Sequence, residues 1–313
     1  MISIYKTIND EQVLQSIDTI EPGCWINLVA PSKEELVLVS KKASVSLEFL
    51  KSALDEEETS RIDSEDDNLL VIVDIPFTEM EDNSLTYDSY PLSIIHTKSL
   101  IITICLKNSK ILTDFIDGKI KSFFTFKRSR FILQILYRIA SYYLLYLRQI
   151  DKKSLIIEQK LHRSMKNKEL IQLLSLEKSL VFFSTSLKSN EITLEKMLKL
   201  ELLKKYPEDQ DILEDVIIEN KQAIEMANIY SNILSGTMDA FASVISNNLN
   251  MVMKLLASIT IVMSIPNIIF SSFGMNVPGI PFSHDPRSFW IVYAIAALIC
   301  FITIIILRKK QLF

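Results

Sequence analysis

Residues 250–276, NMVMKLLASITIVMSIPNIIFSSFGMN, decide the fold of this chain. From Leu255 to Phe273 the stretch is mostly apolar and carries no charge, which is enough for a helix to cross a bilayer. Its polar residues share one narrow face of that helix, because they recur at helical spacing. They are Thr260, Ser264, Asn267 and Ser271. Spacing alone leaves two interpretations open: the stripe lines a pore, or it packs against another helix.

The same face continues beyond the stripe in both directions. Toward the N-terminus it collects further residues, and toward the C-terminus it meets a glycine turn. The N-terminal members are Asn250, Met253, Leu256 and Ala257, and the C-terminal ones are Gly274, Met275 and Asn276. One helix cannot enclose a channel, so a pore on this face requires several copies of the chain.

A second apolar segment, Phe289–Leu307, holds nineteen uncharged residues and predicts a second membrane helix. Trp290 and Tyr293 near its start are typical interface anchors. Basic residues flank the other ends of the two segments, whereas the connecting loop has only Arg287; the flanking residues are Lys254, Arg308, Lys309 and Lys310. By the positive-inside rule, both termini lie in the cytoplasm, in a multi-pass protein of the cell membrane. The first residues show no apolar core of a signal peptide, which agrees with this topology.

Gly274-Met275-Asn276, placed between a membrane segment and a short loop that leads to a second one, resembles the signature of the CorA family of magnesium channels. The resemblance extends over the whole chain, with local matches at SNNLNMVMKLL and SFGMN. It implies a funnel-shaped homopentamer whose first membrane helix lines the pore. Asn276 would form a ring at the outer mouth, as the metal-contacting residue of a selectivity filter made by this tripeptide. Asp239 and Asn250 would lie at pore positions further inward.

The chemistry of the stripe suits magnesium. Mg²⁺ loses its water reluctantly and prefers oxygen ligands, so a selective entrance should contact the hydrated ion through neutral oxygens. Amide oxygens of Asn276 meet this need, and the hydroxyl and amide groups of the stripe offer further rings. Met253 and Leu256 predict an apolar constriction that closes by expelling water.

The first 120 residues predict an α/β domain. Short runs rich in β-branched residues indicate strands. Ser32 and Glu35 form a capping box that opens a helix through about Lys42, and a second helix is expected over residues 46–54. The predicted strands are Ile2–Tyr5, Cys24–Val29, Leu69–Ile75, Leu92–His96 and Leu100–Leu106. The chain has five glycines and none in a nucleotide-binding spacing, which disfavours a nucleotide-driven pump.

An acidic run, residues 55–67, follows the second helix. It is either a solvated loop or a sensor of cytoplasmic divalent cations, because clustered carboxylates repel one another unless a hard cation joins them. In the CorA family an acidic residue before this loop pairs with an Asp of the stalk helix, for which Asp215 is the match here. The other position falls at Lys51-Ser52, so Asp55 or Glu56 would have to substitute.

Helical periodicity begins near residue 121 and continues to the membrane segment. Long antiparallel helices are expected first, and Pro207 then opens a stalk helix that runs into the first span, roughly 100 Å in all at 1.5 Å per residue. Such a helix predicts mechanical coupling between a cytoplasmic event and the pore. The predicted division is 1–120 for the α/β domain, 121–206 for the long helices, 207–273 for the stalk and first span (the span from about 253), 274–288 for the outer loop, 289–307 for the second span and 308–313 for a basic tail.

Three functions stay open. The first is a Mg²⁺ channel driven by the membrane potential. The second is a transporter of Co²⁺, Ni²⁺ or Zn²⁺ on the same scaffold, and the third is a membrane-anchored coiled-coil sensor that transports nothing. The partners expected are Mg²⁺, the lipid bilayer and further copies of the chain. No resident cofactor is expected, and neither an enzymatic motif nor a basic nucleic-acid surface is visible in the sequence.

Overall fold

The computed structural model of the protein describes residues 1–8, 13–81, 84–164, 167–200, 207–275, 281 and 287–310. The chain forms two compact units, Met1–Gly236 and Thr237–Phe313. The first unit contains a sheet and helices, and the second unit contains apolar helices. This confirms the predicted N-terminal α/β domain with long helices and apolar C-terminal segments.

The first unit is built on one seven-stranded sheet of order β2-β1-β3-β7-β6-β5-β4. Only β3 and β7 pair in parallel, while every other neighbouring pair is antiparallel. The apolar strand β7 is buried along its whole length, as expected for a central strand. The strands are β1 Ile2–Ile8, β2 Val13–Ser16, β3 Trp25–Val29, β4 Arg61–Glu65, β5 Asn68–Glu81, β6 Ser84–His96 and β7 Ile101–Cys105.

All five predicted strands are confirmed, although β5 and β6 are longer than expected. Two strands were missed, β2 and β4, and both lie at the edges of the sheet. The structure corrects the solvated-loop interpretation for part of the acidic run, because residues 61–65 form β4 and pair with β5. Charged side chains are common on edge strands, where they discourage pairing with other molecules.

Short helices cover part of the sheet. Helix α1, Lys33–Ala43, has the predicted capping box, with Glu35 N–H donating to Ser32 Oγ at 3.3 Å and Ser32 N–H donating to Glu35 Oε2 at 2.7 Å. The second predicted helix is divided into α2, Leu47–Lys51, and a 3₁₀ turn, Ser52–Leu54. Helix α3, Lys110–Ile116, was not predicted.

Two long helices, α4 (Arg128–Ser164) and α5 (Asn167–Met197), pack on the sheet and on each other. The apolar face of α4 is core, with Tyr143 and Tyr146 buried and Tyr142 half-buried. Among the residues that the structure describes, three helical segments are long and apolar enough to cross a membrane, and α5 is one of them. Helix α5 contacts β4, β5 and β6, and packing against the sheet accounts for its buried apolar residues.

Helix α6, Pro207–Phe273, begins at the proline where the sequence places the start of the stalk, and it contributes to both units. Glu208 and Asp209 occupy its first turn, where the helix dipole favours negative charge. Pro266 lies inside the helix without ending it, as membrane helices tolerate. The second apolar segment forms α7, Ser288–Lys309.

Candidate functional site

In the second unit, α7 covers one side of the apolar part of α6. The thiol of Cys300 lies 3.8 Å from the carbonyl oxygen of Val262, and Ser258 is only 1% exposed. At about 100° per residue, Ser258 and Val262 lie roughly 150–170° around the helix from the centre of the polar stripe. The stripe therefore points away from α7.

Exposure agrees with this placement. Thr260, Asn267 and Ser271 are exposed, and Ser264 is half-buried. The residues that extend the face inward are all exposed as well: Asp239, Asn250, Met253, Leu256 and Ala257. Packing against the chain's own second span therefore does not explain the stripe.

Two hydroxyl groups of the stripe, those of Thr260 and Ser264, are arranged as acceptors. Thr260 Oγ1 donates to the carbonyl of Leu256 at 2.9 Å, and Ser264 Oγ donates to the carbonyl of Thr260 at 2.7 Å. Each hydroxyl has one hydrogen, so the bond inside the helix leaves only lone pairs for groups outside it. A face of this kind suits a cation or the water molecules around one, since those waters direct their hydrogens outward.

Helix α6 ends at Phe273, immediately before the glycine of the tripeptide. The N–H of Gly274 donates to the carbonyls of Phe270 at 3.0 Å and Ser271 at 3.2 Å. A Cβ at position 274 would lie 3.3 Å from the Phe270 oxygen, so a larger residue would require the neighbouring backbone to shift by a few tenths of an ångström. Met275 is 55% exposed. Asn276, the predicted filter residue, lies outside the described residues.

Within the part of the chain that the structure describes, no group of three or more His, Cys, Asp or Glu side chains could hold a metal. Asp55 and Asp215 are both exposed. The Oδ1 atom of Asp55 accepts the N–H of Glu57 at 3.0 Å, a local turn contact.

The sequence did not reveal an acidic cleft of about 550 Å³ that Glu56, Glu57 and Glu58 line together with Asp74 and Asp88. Burial raises the pKa of Asp74 to about 6, while a hydrogen bond from Ser186 opposes the shift. Lys107 also lines the cleft and pairs with Glu79 at 3.0 Å. The pairing of β5 with β6 brings Asp74 and Asp88 near the acidic run. The sequence of each segment by itself does not predict this proximity.

The chain is similar to known proteins along its whole length. A family model described as CorA-like Mg²⁺ transporter protein matches residues 21–309. The cobalt/magnesium transport protein CorA of Methanocaldococcus jannaschii is 29% identical over 295 residues, which cover 91% of this chain and 90% of that protein.

Solved structures give the same result. The complete structure of the CorA magnesium transporter from Methanocaldococcus jannaschii superposes with a TM-score of 0.84 at 26% identity, covering 99% of this chain and 98% of that one. The full-length CmaX protein is similar in fold, with a TM-score of 0.71 at 15% identity, covering 99% of this chain and 97% of that one.

Proposed function

Because the chain belongs to the CorA-like Mg²⁺ transporter protein family, we propose that it is a channel through which the membrane potential drives Mg²⁺ into the cell. The observation that carries this proposal is the polar stripe of α6, which α7 leaves uncovered. A potential of 100 mV contributes about 2.3 kcal/mol per charge, so a divalent ion gains about twice that amount. No resident cofactor takes part, because Mg²⁺ is the cargo.

Several copies of α6, five in this proposal, turn their stripes toward a common axis in the lipid bilayer. Asn276 of each copy then supplies an amide oxygen to a ring at the outer mouth, which contacts the hydrated ion without removing its water. The hydroxyl oxygens of Thr260 and Ser264 continue the path as acceptors, because their hydrogens are held inside the helix. Asn267 and Ser271 lie on the same face between them and the mouth.

The gate in this proposal is apolar. Met253 and Leu256 are 55% and 57% exposed on the same face, so copies of these side chains meet at the axis and expel water when the pore narrows. Asn250 and Asp239 lie closer to the N-terminus of α6. A ring of Asp239 carboxylates there attracts cations.

The topology that fits this direction of flow has both termini in the cytoplasm of a cell-membrane protein. Basic residues at the C-terminal end of α7, among them Arg308 and Lys309, support it through the positive-inside rule. Cytoplasmic Mg²⁺ then closes the channel by binding acidic residues of the first unit, with Asp55 and Asp215 as the proposed pair between subunits. Both side chains are exposed, which leaves them accessible to a neighbouring copy.

A second candidate is transport of Co²⁺ or Ni²⁺ on the same scaffold, which the name of the cobalt/magnesium relative favours. The stripe itself offers oxygen ligands and no imidazole or thiolate, the groups that softer metals prefer. For this reason Mg²⁺ is the first choice. A coiled-coil sensor that transports nothing leaves the stripe unexplained.

The test is ion flux into proteoliposomes that hold an inside-negative potential. The wild-type protein is expected to take up Mg²⁺, and Asn276→Ala is expected to lose most of that uptake because the amide ring is gone. Asn247→Ala is the matched control, since Asn247 is exposed on α6 but lies outside the stripe.

Each other outcome excludes one of the functions. Flux of Co²⁺, Ni²⁺ or Zn²⁺ without flux of Mg²⁺ would show that the channel transports the softer metals and not magnesium. No flux of any ion from protein shown to be folded would contradict the channel altogether and leave the sensor.

A further inference from the structure

Next to the Gly274 turn, the side chain of Phe270 links the end of α6 to α7. The carbonyl of Phe270 accepts the N–H of Gly274 at 3.0 Å, which closes the helix. The ring of the same residue stacks on Tyr293 of α7, with 6.5 Å between centroids and 11° between planes. Tyr293 thus contacts the residue on which the turn depends.

The Phe270–Tyr293 stack is small and lies apart from the Cys300–Val262 contact between the same two helices. Phe270 and Tyr293 are 45% and 56% exposed, so the stack buries little area. The contact of Cys300 with Val262 lies eight residues further into α6, about 12 Å away along the axis at 1.5 Å per residue. The ring stack is therefore placed to fix the orientation of the last turn of α6, where a small rotation moves the residues that follow.

We propose that Tyr293 is a positioning residue for ion selectivity: through Phe270 it holds the Gly274 turn, from which the chain continues into the proposed selectivity filter. The inference rests on the proposed channel function. Mg²⁺ holds its first-shell oxygens in near-ideal octahedral geometry, whereas Ca²⁺ accepts six to eight at longer and variable distances, so the two hydrated ions differ in size and shape. Loosening the turn should therefore affect discrimination between the two ions more than it affects conduction.

The experiment measures Mg²⁺ and Ca²⁺ flux separately in proteoliposomes for the full chain and its variants. Tyr293→Leu is expected to lower the Mg²⁺/Ca²⁺ flux ratio about two- to tenfold, the range that corresponds to the loss of one aromatic pair. Tyr293→Phe is expected to keep the wild-type ratio, because the stack needs the ring and not the hydroxyl.

Two further variants make the test specific. Trp290→Leu is the matched control, since Trp290 is an exposed aromatic residue of α7 whose ring pairs with Phe289 at 5.4 Å; its flux ratio is expected to stay at the wild-type value. Phe270→Leu removes the other half of the stack and should lower the ratio as Tyr293→Leu does, and the double variant should lower it no further. Phe270→Leu also serves as the test if Tyr293→Leu does not fold.

A purely structural role would give a different result. If Tyr293→Leu lowers both fluxes in proportion and leaves the ratio unchanged, or if Trp290→Leu changes the ratio equally, the inference is wrong while the channel function stands. Absence of flux in the wild type would instead overturn the proposed function, so the two failures are distinguishable.

Discussion

At the scale of the residue, His96 of β6 gives the chain an acid-sensitive contribution to stability. Burial lowers the pKa of its imidazole from 6.5 to about 4, and the positive charge of Arg128 adds to the shift. The unfolded chain therefore binds this proton more readily than the folded one. The contribution is fully present above pH 6.5 and is lost as the pH falls toward 4, by up to about 3 kcal/mol.

Asp74 changes the stability of the fold with pH in the opposite direction to His96, so the two contributions must be measured separately. Because its pKa is raised from 3.8 to about 6, folding gains stability as the pH falls through 6 toward 3.8. Thermal melting of the full chain in detergent between pH 4.5 and 7 measures both. We expect His96→Phe to lose less stability toward acid than the wild type, and Asp74→Asn to lose more. Parallel pH profiles for all three proteins would show that neither group is perturbed.

At the scale of the element, Arg130 of α4 holds the start of α6. Its Nε atom donates to Asp209 Oδ1 at 2.8 Å, and its second terminal nitrogen donates to Glu208 Oε2 at 2.5 Å. The side chain of Asp209 is only 4% exposed, whereas that of Glu208 is 78% exposed. Arg130→Gln leaves a buried carboxylate without its cation and is expected to cost about 1–3 kcal/mol.

Chemical denaturation of the full chain measures that loss, with Glu208→Gln as the matched control. We expect the control to change stability little, because water replaces the partner of an exposed carboxylate. Equal losses in the two variants would mean that the burial of Asp209 does not decide the strength of this contact.

Elements with strong local signals were predictable from the sequence. The capping box of Ser32 and Glu35 and the proline at 207 mark helix starts without reference to the rest of the fold. The edge strands β2 and β4 were missed because they become strands by pairing with a neighbouring strand. Arg61–Glu65 of β4, for example, is a charged segment that pairs with β5. Helix α3 has only seven residues, which is too few to show a period.

Part of the candidate site could likewise be predicted from the sequence, and part of it could not. The polar stripe lies on one helix, so its spacing in the sequence predicts it, and Thr260 and Ser264 do lie on an exposed or half-buried face. The face that α7 covers depends on contacts between two helices, such as that of Phe270 with Tyr293, and residue spacing contains no information about them. The acidic cleft beside Asp74 depends likewise on the pairing of β5 with β6.

At the scale of the whole molecule, the proposed passage of a hydrated Mg²⁺ ion between copies of α6 predicts how many copies assemble. A hydrated Mg²⁺ ion has a radius of about 3.5 Å, the sum of a metal–oxygen distance near 2.1 Å and a water radius near 1.4 Å. Helices with radii of about 5 Å and axes about 10 Å apart leave a central opening of roughly 2 Å radius in a ring of four and roughly 3.5 Å in a ring of five. Five is therefore the smallest number of copies whose stripes surround a path wide enough for the hydrated ion.

Native mass spectrometry of the detergent-solubilised protein tests this number directly. With 35.9 kDa per chain, we expect a dominant species of about 180 kDa. A dominant tetramer would contradict both the count and the passage of the ion with its water, because its opening is narrower than the hydrated ion. A dominant hexamer, with an opening of roughly 5 Å radius, would contradict close contact between the Asn276 ring and that ion, since the amides would then stand too far from the axis to select by fit.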